Sequence, residues 1–294
     1  MQLLSLKTIL VATDLDDSSL PAIAAGRALA VAAGAELHVV NVTTSAAPDA
    51  SAVHALLERA GIGLTEASVH AVAGDPTLAI GRLADSLSAD VIVLGPHHHD
   101  GDDALAGTVL GIVTNSAAPC LVAHSLALPL SQVVVAVDLS ETSRGALVVA
   151  LSWASALRAG RGRSTAGVTL TTLYVTTRDA STAQLDALRR SLERQVDDLR
   201  GDAGMWANVV VRIDVINGDR VDEAVVRYAA EHDAGLIVVG TRGLGLDTIG
   251  RVGSVAGSIA GTTTIPTLLV PPAIWLELGR VRPRRRGGTV RQPG

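Results

Sequence analysis

The sequence predicts an α/β protein in which two similar doubly wound parallel-sheet domains follow one another in tandem. Its length of 294 residues suits two domains better than one, because the usual size is about 100–200 residues per domain. A β-branched and apolar run at Thr8–Thr13 ends at Asp14. A similar run at Gln132–Val137 ends at Asp138. Such runs alternate with helical patterns along the whole chain, which is typical of parallel sheets covered by helices on both faces.

A polar turn and a helix follow each of these first strands. The turns begin at Asp16 and Ser140, and their short oxygen-bearing side chains suit a helix N-cap. Each turn leads into an alanine-rich helix. A glycine, Gly34 or Gly160, follows each helix at the place where a left-handed C-terminal cap favours one.

The remaining elements repeat in the same order. Similar turns, Gly74-Asp75 and Gly218-Asp219, follow the third strands, and amphipathic helices come after them. A final helix precedes each last strand. The predicted second, third, fourth and last strands are Leu37–Val42, Val69–Ala73, Val91–Gly95 and Leu121–Ala123 in the first half, and Thr169–Val175, Val209–Ile216, Leu236–Gly240 and Leu268–Val270 in the second.

These repeats predict two domains, residues 1–126 and 131–272, joined at Ser125–Ser131 where Pro129 interrupts the pattern. The stretch Arg161–Gly167 is predicted to be a surface loop of the second half. Residues 279–294 are rich in arginine, proline and glycine and are predicted to form a disordered tail, because they offer too little apolar surface for a core. Such a tail is more typical of a solubilising segment than of a binding site for nucleic acid or acidic partners.

Composition favours a cytoplasmic protein. The longest apolar runs are far shorter than the roughly 20 residues of a membrane helix, and the N-terminus has no apolar secretion segment. Cys120 is the only cysteine, so we expect a small buried hydrophobic side chain and no disulfide. The net charge of −5 gives no general attraction to nucleic acid or to an anionic membrane, so neither is an expected partner.

A glycine motif in the second half points to anion binding. Gly240 ends the fourth strand, Gly243 follows after two residues, and Gly253 with Ser254 opens the last helix after nine more. Glycines let the backbone approach a ligand closely, and free N–H groups at a helix start favour a phosphate. Arg242 can add a charged hydrogen bond. The alternative is that these glycines only form turns, and that Asp138 only caps a helix.

The glycine spacing together with the strand ending Ala136-Val137-Asp138 resembles the universal stress protein family, in two copies that cover nearly the whole chain. The resemblance implies a fold like that of adenine nucleotide α-hydrolases and an ATP site, with Mg²⁺, in the second half. In the family the aspartate contacts adenine and the loop holds the phosphates. The implied binding residues are Ala136, Val137, Asp138, Val175, Val239, Gly240, Arg242, Gly243, Gly253, Ser254 and Val255.

Other nucleotide folds do not fit the sequence. A Walker loop requires a lysine after its glycines, and the only lysine is Lys7, before the first strand. A dinucleotide fold requires a glycine-rich turn after the first strand, where this chain has aspartates. Ser254 lacks the Gly-x-Ser-x-Gly surroundings of a nucleophile, so no catalytic residue is predicted.

The first half departs from the motif. Its loop runs from Gly95 to Gly107 and carries three histidines, 97 to 99, among aspartates, with His98 in place of the second glycine. Asp14 and Val42 keep the base-side features, so an altered ligand, or one bound through a divalent ion, stays open there. Consecutive histidines rarely converge on one ion, so a solvated loop is expected and no metal site is predicted.

Together these features predict an ATP-binding regulatory or sensor protein of the stress response, with at most slow ATP hydrolysis. The resemblance implies that the last strands pair, within one chain as a pseudo-dimer or between chains as a homodimer. Two alternatives stay open. One is a nucleotide-free scaffold that works through protein contacts, and the other is a weak nucleotide hydrolase.

Overall fold

The computed structural model describes residues 6–44, 47–63, 65–95, 107–157, 167–176, 180–200, 206, 208–242 and 252–274. Strands and helices alternate through both halves of this part of the chain. The elements of the first half are β1 Thr8–Thr13, α1 Leu20–Ala33, β2 Glu36–Thr43, α2 Ala50–Arg59, β3 Ser68–Ala73, α3 Pro76–Leu87, β4 Val91–Leu94, α4 Gly107–Asn115 and β5 Cys120–Val122. Those of the second half are β6 Gln132–Ala136, α5 Glu141–Ala156, β7 Val168–Thr176, α6 Thr182–Arg200, β8 Val209–Asn217, α7 Val221–Glu231, β9 Leu236–Gly240, α8 Ser254–Thr262 and β10 Thr267–Val270.

The described strands form a single sheet in the order β3-β2-β1-β4-β5-β10-β9-β6-β7-β8. Neighbouring strands within each half are parallel. The two halves meet through β5 and β10, which pair antiparallel with Leu121 opposite Leu268. Because this one contact is antiparallel, the strands of the two halves run in opposite directions. The carboxyl ends of β1 and β4 therefore lie at one edge of the sheet, and those of β6 and β9 lie at the opposite edge.

Each half reverses its strand order once. In the second half the chain moves outward from β6 to β8 and then returns to the other side of β6 to form β9. Ligands of open α/β sheets bind at such a reversal, outside the carboxyl ends of the two strands concerned. Asp138 follows the end of β6, and Gly240 ends β9. The predicted site is therefore at this reversal of the strand order.

Helices cover both faces of the sheet. Alternate strand residues point to opposite faces, so Ile9 and Val11 pack on one side while Leu10 packs on the other. The first face is covered by α1, α2, α5 and α6, and the second by α3, α4, α7 and α8. None of the described helices is both long enough and apolar enough to cross a membrane. The predicted tandem α/β architecture is confirmed.

Several details differ from the sequence prediction. The helices α2 and α6 were not predicted individually, and the fourth strand of the first half ends at Leu94. The helix α5 ends at Ala156 with Leu157 as its C-cap residue, and Gly160, the predicted cap, lies outside the described residues. Leu157 is buried, and its carbonyl oxygen accepts a hydrogen bond from the N–H of Leu130 at 3.2 Å, which turns the chain out of the helix. Gly34 does cap α1 in the left-handed conformation, with φ of 67°.

Gly26 allows α1 to pack closely on β1. A Cβ atom at this position would overlap Cγ2 of Val11 and lie 3.5 Å from Cδ1 of Leu37. Val11 is fully buried and β-branched, so its side chain has little freedom to move away. The distance between α1 and the sheet therefore depends on the absence of a side chain at Gly26.

We expect Gly26→Ala to lower the free energy of unfolding by about 1–3 kcal/mol, the usual cost of overpacking, although alanine favours helices over glycine. Gly81→Ala is the matched control, since a Cβ there would meet its nearest neighbour, the carbonyl oxygen of Asn115, at 3.9 Å. Urea denaturation compares the two variants with the wild-type protein. Equal stability of Gly26→Ala and wild type would contradict the close packing.

A buried carboxylate joins the start of α7 to α8. Asp222 accepts hydrogen bonds from the Ser258 hydroxyl at 2.5 Å and from the Arg220 guanidinium at 2.7 Å. Burial opposes ionisation of Asp222, but the hydrogen bond from Ser258, one from the backbone N–H of Glu223, and the hydrogen bond and charge of Arg220 outweigh it. The pKa of Asp222 is therefore lower than its ordinary value, and the ionised carboxylate holds α8 against α7.

We expect Asp222→Asn to lower the free energy of unfolding by about 1–2 kcal/mol at pH 7, because the charge-assisted hydrogen bonds weaken. The folded-state pKa lies below the unfolded value of about 4, so the charge contribution is complete above that pH and is lost as the pH falls through the lowered pKa. Urea unfolding of both proteins from pH 7 to pH 3 should show a shrinking difference. The exposed Asp219→Asn variant is the control, and a difference that stays constant would show that the charge is not responsible.

Candidate functional site

The ends of β6 and β9 lie side by side. Ala136 pairs with Val239 across the two strands. Val137 follows β6, is 7% exposed, and donates its N–H to the carbonyl oxygen of Leu173 at 3.0 Å. The side chains of Ala136, Val175 and Val239 belong to the apolar cluster that faces α7 and α8. Three residues predicted from separate strands therefore meet at one edge of one face.

A tight turn fixes Asp138 two residues after the end of β6. Its Oδ1 accepts a hydrogen bond from the backbone N–H of Ser140 at 3.0 Å. Leu139, between them, has a φ of 65°. A leucine with positive φ is uncommon and costs about 1 kcal/mol or more, and such strain is concentrated at functional positions. The turn thus holds the Asp138 carboxylate near the end of β6.

The first half has the same turn with a different partner. Oδ1 of Asp14 accepts a hydrogen bond from the N–H of Asp16 at 3.1 Å, and Leu15 has a φ of 72°. Here the buried hydroxyl of Ser19 also donates to Asp14 Oδ1, at 2.5 Å. The corresponding hydroxyl in the second half, that of Ser143, donates to the carbonyl oxygen of Ser140 instead, at 2.9 Å. The two aspartates are equivalent in backbone and differ in their side-chain surroundings.

The two ends of the glycine motif are hydrogen-bonded to each other. The N–H of Gly253 donates to the carbonyl oxygen of Thr241 at 2.8 Å, and the N–H of Thr241 donates to Val270 at 2.9 Å. A Cβ at Gly240 would lie 3.3 Å from the carbonyl oxygen of Arg242, closer than most side chains tolerate. The start of α8 is therefore held beside the end of β9, and glycine at 240 permits the close turn.

The start of α8 is suited to an anion. Gly253 precedes the helix in an extended conformation and brings no capping side chain. The first N–H groups of a helix have no partner within it, and the helix dipole places partial positive charge there. Ser254 is exposed at the first helical position, and Val255 follows it. A phosphate group fits this combination.

A cavity of about 850 Å³ opens between α7 and α8 and includes this helix start. Its lining combines both signs of charge with hydroxyl groups and apolar surface. Its polar and charged lining includes Arg220, Asp222, Arg227, Ser254 and Ser258, together with the backbone of Gly253. Of the predicted binding residues, this lining includes Gly253 and Ser254, so the cavity adjoins the helix start and not the strand ends.

The turn at Gly218 closes the site beside β7. A Cβ at Gly218 would lie 2.7 Å from Cβ of Ala224 and 3.2 Å from Cγ1 of Val175. The N–H of Gly218 donates to the carbonyl oxygen of Thr176 at 3.0 Å. Val175 is 9% exposed, so little of its side chain is available, and a ligand would meet mainly the backbone at this strand end.

Most predicted site residues are thus gathered at the ends of β6, β7 and β9 and at the start of α8. Gly243 lies outside the described residues, as does the greater part of the loop that follows it. The same holds for the three histidines of the first half and for the arginine-rich tail. Among the residues that the structure describes, no group of three or more potential ligands is placed to hold a metal ion. Cys120 is buried as predicted, and burial raises the pKa of its thiol to about 12.

Sequence reasoning missed Thr142. This residue lies in the first turn of α5, and its hydroxyl donates to the carbonyl oxygen of Arg242 at 2.8 Å. The sequence showed only a polar stretch suited to an N-cap, and Ser140 does cap α5 by accepting the N–H of Ser143 at 3.1 Å. No sequence pattern indicated that Thr142 would reach a residue 100 positions away.

Comparison with known proteins agrees with this architecture. The Universal stress protein family model matches the sequence twice, at residues 5–124 and 130–271. A universal stress protein from Archaeoglobus fulgidus DSM 4304 is 17% identical with a TM-score of 0.59, covering 92% of this chain and 97% of its own. A functionally unknown protein from Pseudomonas aeruginosa PAO1 is 16% identical with a TM-score of 0.63, covering 94% and 97%.

A universal stress protein in complex with cAMP is 30% identical with a TM-score of 0.33, covering 40% of this chain and 96% of its own. The search of curated proteins found no match. The two long structural matches share the fold at low identity, and the two family matches coincide with the two halves of the sheet. This chain belongs to the universal stress protein family and carries two copies of its domain in tandem.

Proposed function

We propose that this protein is an ATP-binding regulatory or sensor protein of the stress response, and that its second half holds the nucleotide. The observation that carries the proposal is the hydrogen bond from Gly253 to Thr241, which holds an uncapped helix start at the end of β9, the strand that pairs with β6 ahead of Asp138. The expected domain limits, 1–126 and 131–272, remain part of this proposal, as does a cytoplasmic location.

The nucleotide would lie across the ends of the strands. Adenine would contact the backbone at Val137 and Val175, and Asp138 would accept a hydrogen bond from the base or ribose. The phosphates would lie at the start of α8, where the N–H groups of Ser254 and Val255 have no partner within the helix. Asp138 is unsuited to the phosphate end because its carboxylate would repel the phosphates.

Arg242 would complete the phosphate end with a charged hydrogen bond. Mg²⁺ would accompany the phosphates, because it neutralises their charge and retains much of its water. The described part of the site offers no evident nucleophile or general base, so any hydrolysis would be slow. We also propose that the pairing of β5 with β10 makes the two halves an intrachain pseudo-dimer. A homodimer through the last strands would require that pairing to open, because β5 and β10 are both flanked within the sheet.

Two other functions predict different contents of the purified protein. A weak hydrolase would release bound ADP or AMP, and a nucleotide-free scaffold would release no nucleotide. The sensor proposed here would release intact ATP. Nucleotide analysis of protein prepared without added ligand separates the three.

Separate mutation of the two ends of the site tests the proposed orientation. Arg242→Ala should weaken the binding of ATP by about 1.5–3 kcal/mol, the range for a charged hydrogen bond. It should leave the affinity for adenosine nearly unchanged. Asp138→Ala should lower the affinities for ATP and for adenosine by similar factors, and it should reduce the preference for ATP over GTP. Calorimetry with all three ligands measures these differences.

The first half supplies the matched control for Asp138. Asp14 occupies the equivalent turn, with the same backbone hydrogen bond and a following leucine of positive φ. Asp14→Ala should leave the affinity for ATP unchanged. The proposed orientation is wrong if Arg242→Ala lowers the affinities for adenosine and ATP equally. It is also wrong if the Asp138→Ala variant binds adenosine as tightly as the wild type does.

A further inference from the structure

A chain of hydrogen bonds connects the turn at Asp138 with the start of the glycine motif. The N–H of Ser140 donates to Asp138, and Oγ of Ser140 lies 2.8 Å from Oγ1 of Thr142. Thr142 is in turn 2.8 Å from the carbonyl oxygen of Arg242. A carbonyl oxygen only accepts, so Thr142 gives its single hydroxyl hydrogen to Arg242, and Ser140 must donate to Thr142. The donor and the acceptor of each of these three hydrogen bonds are therefore determined.

The hydroxyl group of Ser140 both donates and accepts a hydrogen bond. Its Oγ accepts the N–H of Ser143 at 3.1 Å while donating to Thr142. Thr142 thus receives a hydrogen bond from a side chain that is itself oriented as the N-cap of α5. A hydroxyl whose donor and acceptor roles are both assigned in this way has little freedom to rotate.

Three elements hold the backbone of Thr241 and Arg242 by hydrogen bonds, and Thr142 provides the third of these bonds. Thr241 is held by Val270 of β10 and by Gly253 at the start of α8. Arg242 is held by Thr142 of α5. A Cβ at Gly240 would lie 3.5 Å from the carbonyl oxygen of Thr142, so the backbones of the two segments are also in close contact. The third support comes from the element that carries the Asp138 turn.

We propose that Thr142 is a positioning residue of the nucleotide site, which holds the backbone of Arg242 at the phosphate end. This inference rests on the proposed function. Thr142 acts through the carbonyl group of Arg242 and need not touch the nucleotide. It also links the base end to the phosphate end, because Asp138 is bonded to Ser140, the N-cap of α5, and Arg242 is bonded to Thr142 in the first turn.

The effect of losing this hydroxyl should be confined to the phosphate end. Asp138 keeps its bond from the backbone N–H of Ser140, and the left-handed conformation of Leu139 does not involve Thr142. Arg242, by contrast, loses its hydrogen bond to α5. Ligands with phosphates should therefore be affected, and adenosine should not.

The test replaces the hydroxyl by a methyl group of similar size. Thr142→Val should lower the affinity for ATP about three- to tenfold, as expected for one neutral hydrogen bond, and should leave the affinity for adenosine unchanged. Thr142→Ser keeps the hydroxyl and should restore ATP binding to within about twofold of the wild type. Calorimetry gives the affinities, and thermal unfolding checks each variant. Thr142→Ala is the second variant if valine disturbs folding.

The first half again supplies a control. Ser18 stands four residues after Asp14, as Thr142 does after Asp138, so Ser18→Ala should leave ATP affinity unchanged. Unaltered ATP binding by Thr142→Val would overturn the inference, as would equal losses for ATP and adenosine or failure of serine to restore binding. If the wild-type protein binds neither ligand, the proposed function falls as well. Wild-type binding with an unaffected Thr142→Val removes only the role of Thr142.

Discussion

The antiparallel contact between β5 and β10 determines how the two halves of this protein are arranged. Each strand is only three or four residues long, but both are fully buried and each has a parallel neighbour on its other side. Because this contact reverses the strand direction, the two halves direct their carboxyl ends to opposite edges of one sheet. The equivalent turns at Asp14 and Asp138 are consequently apart, and each half must supply the strand-end residues of its own site.

Within the second half, the candidate site depends on contacts among elements that are distant in sequence. The end of β9 is held by β10, by the start of α8 and by the first turn of α5. Asp222 adds a bond between α7 and α8. The strained backbone at Leu139 is maintained by this surrounding structure. These contacts keep an uncapped helix start and a carboxylate in fixed positions, so a ligand would not have to order them on binding.

The sequence was sufficient to predict the architecture and the neighbouring ends of β6 and β9, since parallel strands bring their carboxyl ends to one edge. It was insufficient for α6, whose buried positions Leu192, Val196 and Leu199 are few among charged residues. It also could not predict the bond from Thr142 to Arg242. Such a side-chain contact leaves no periodic signal, and the polar stretch that contains Thr142 is explained equally well by capping of α5.

Photolabelling with an azido-adenine analogue of ATP shows which half holds the nucleotide, because the reactive group marks the residues beside the base. We expect labelled peptides from the second half, around residues 136–144 and 173–176, and we expect excess ATP to prevent the labelling. Asp14 and Val42 offer the equivalent strand ends in the first half. Labelling of the peptides that contain them, with the second half unmarked, would contradict the assignment of the nucleotide to the second half.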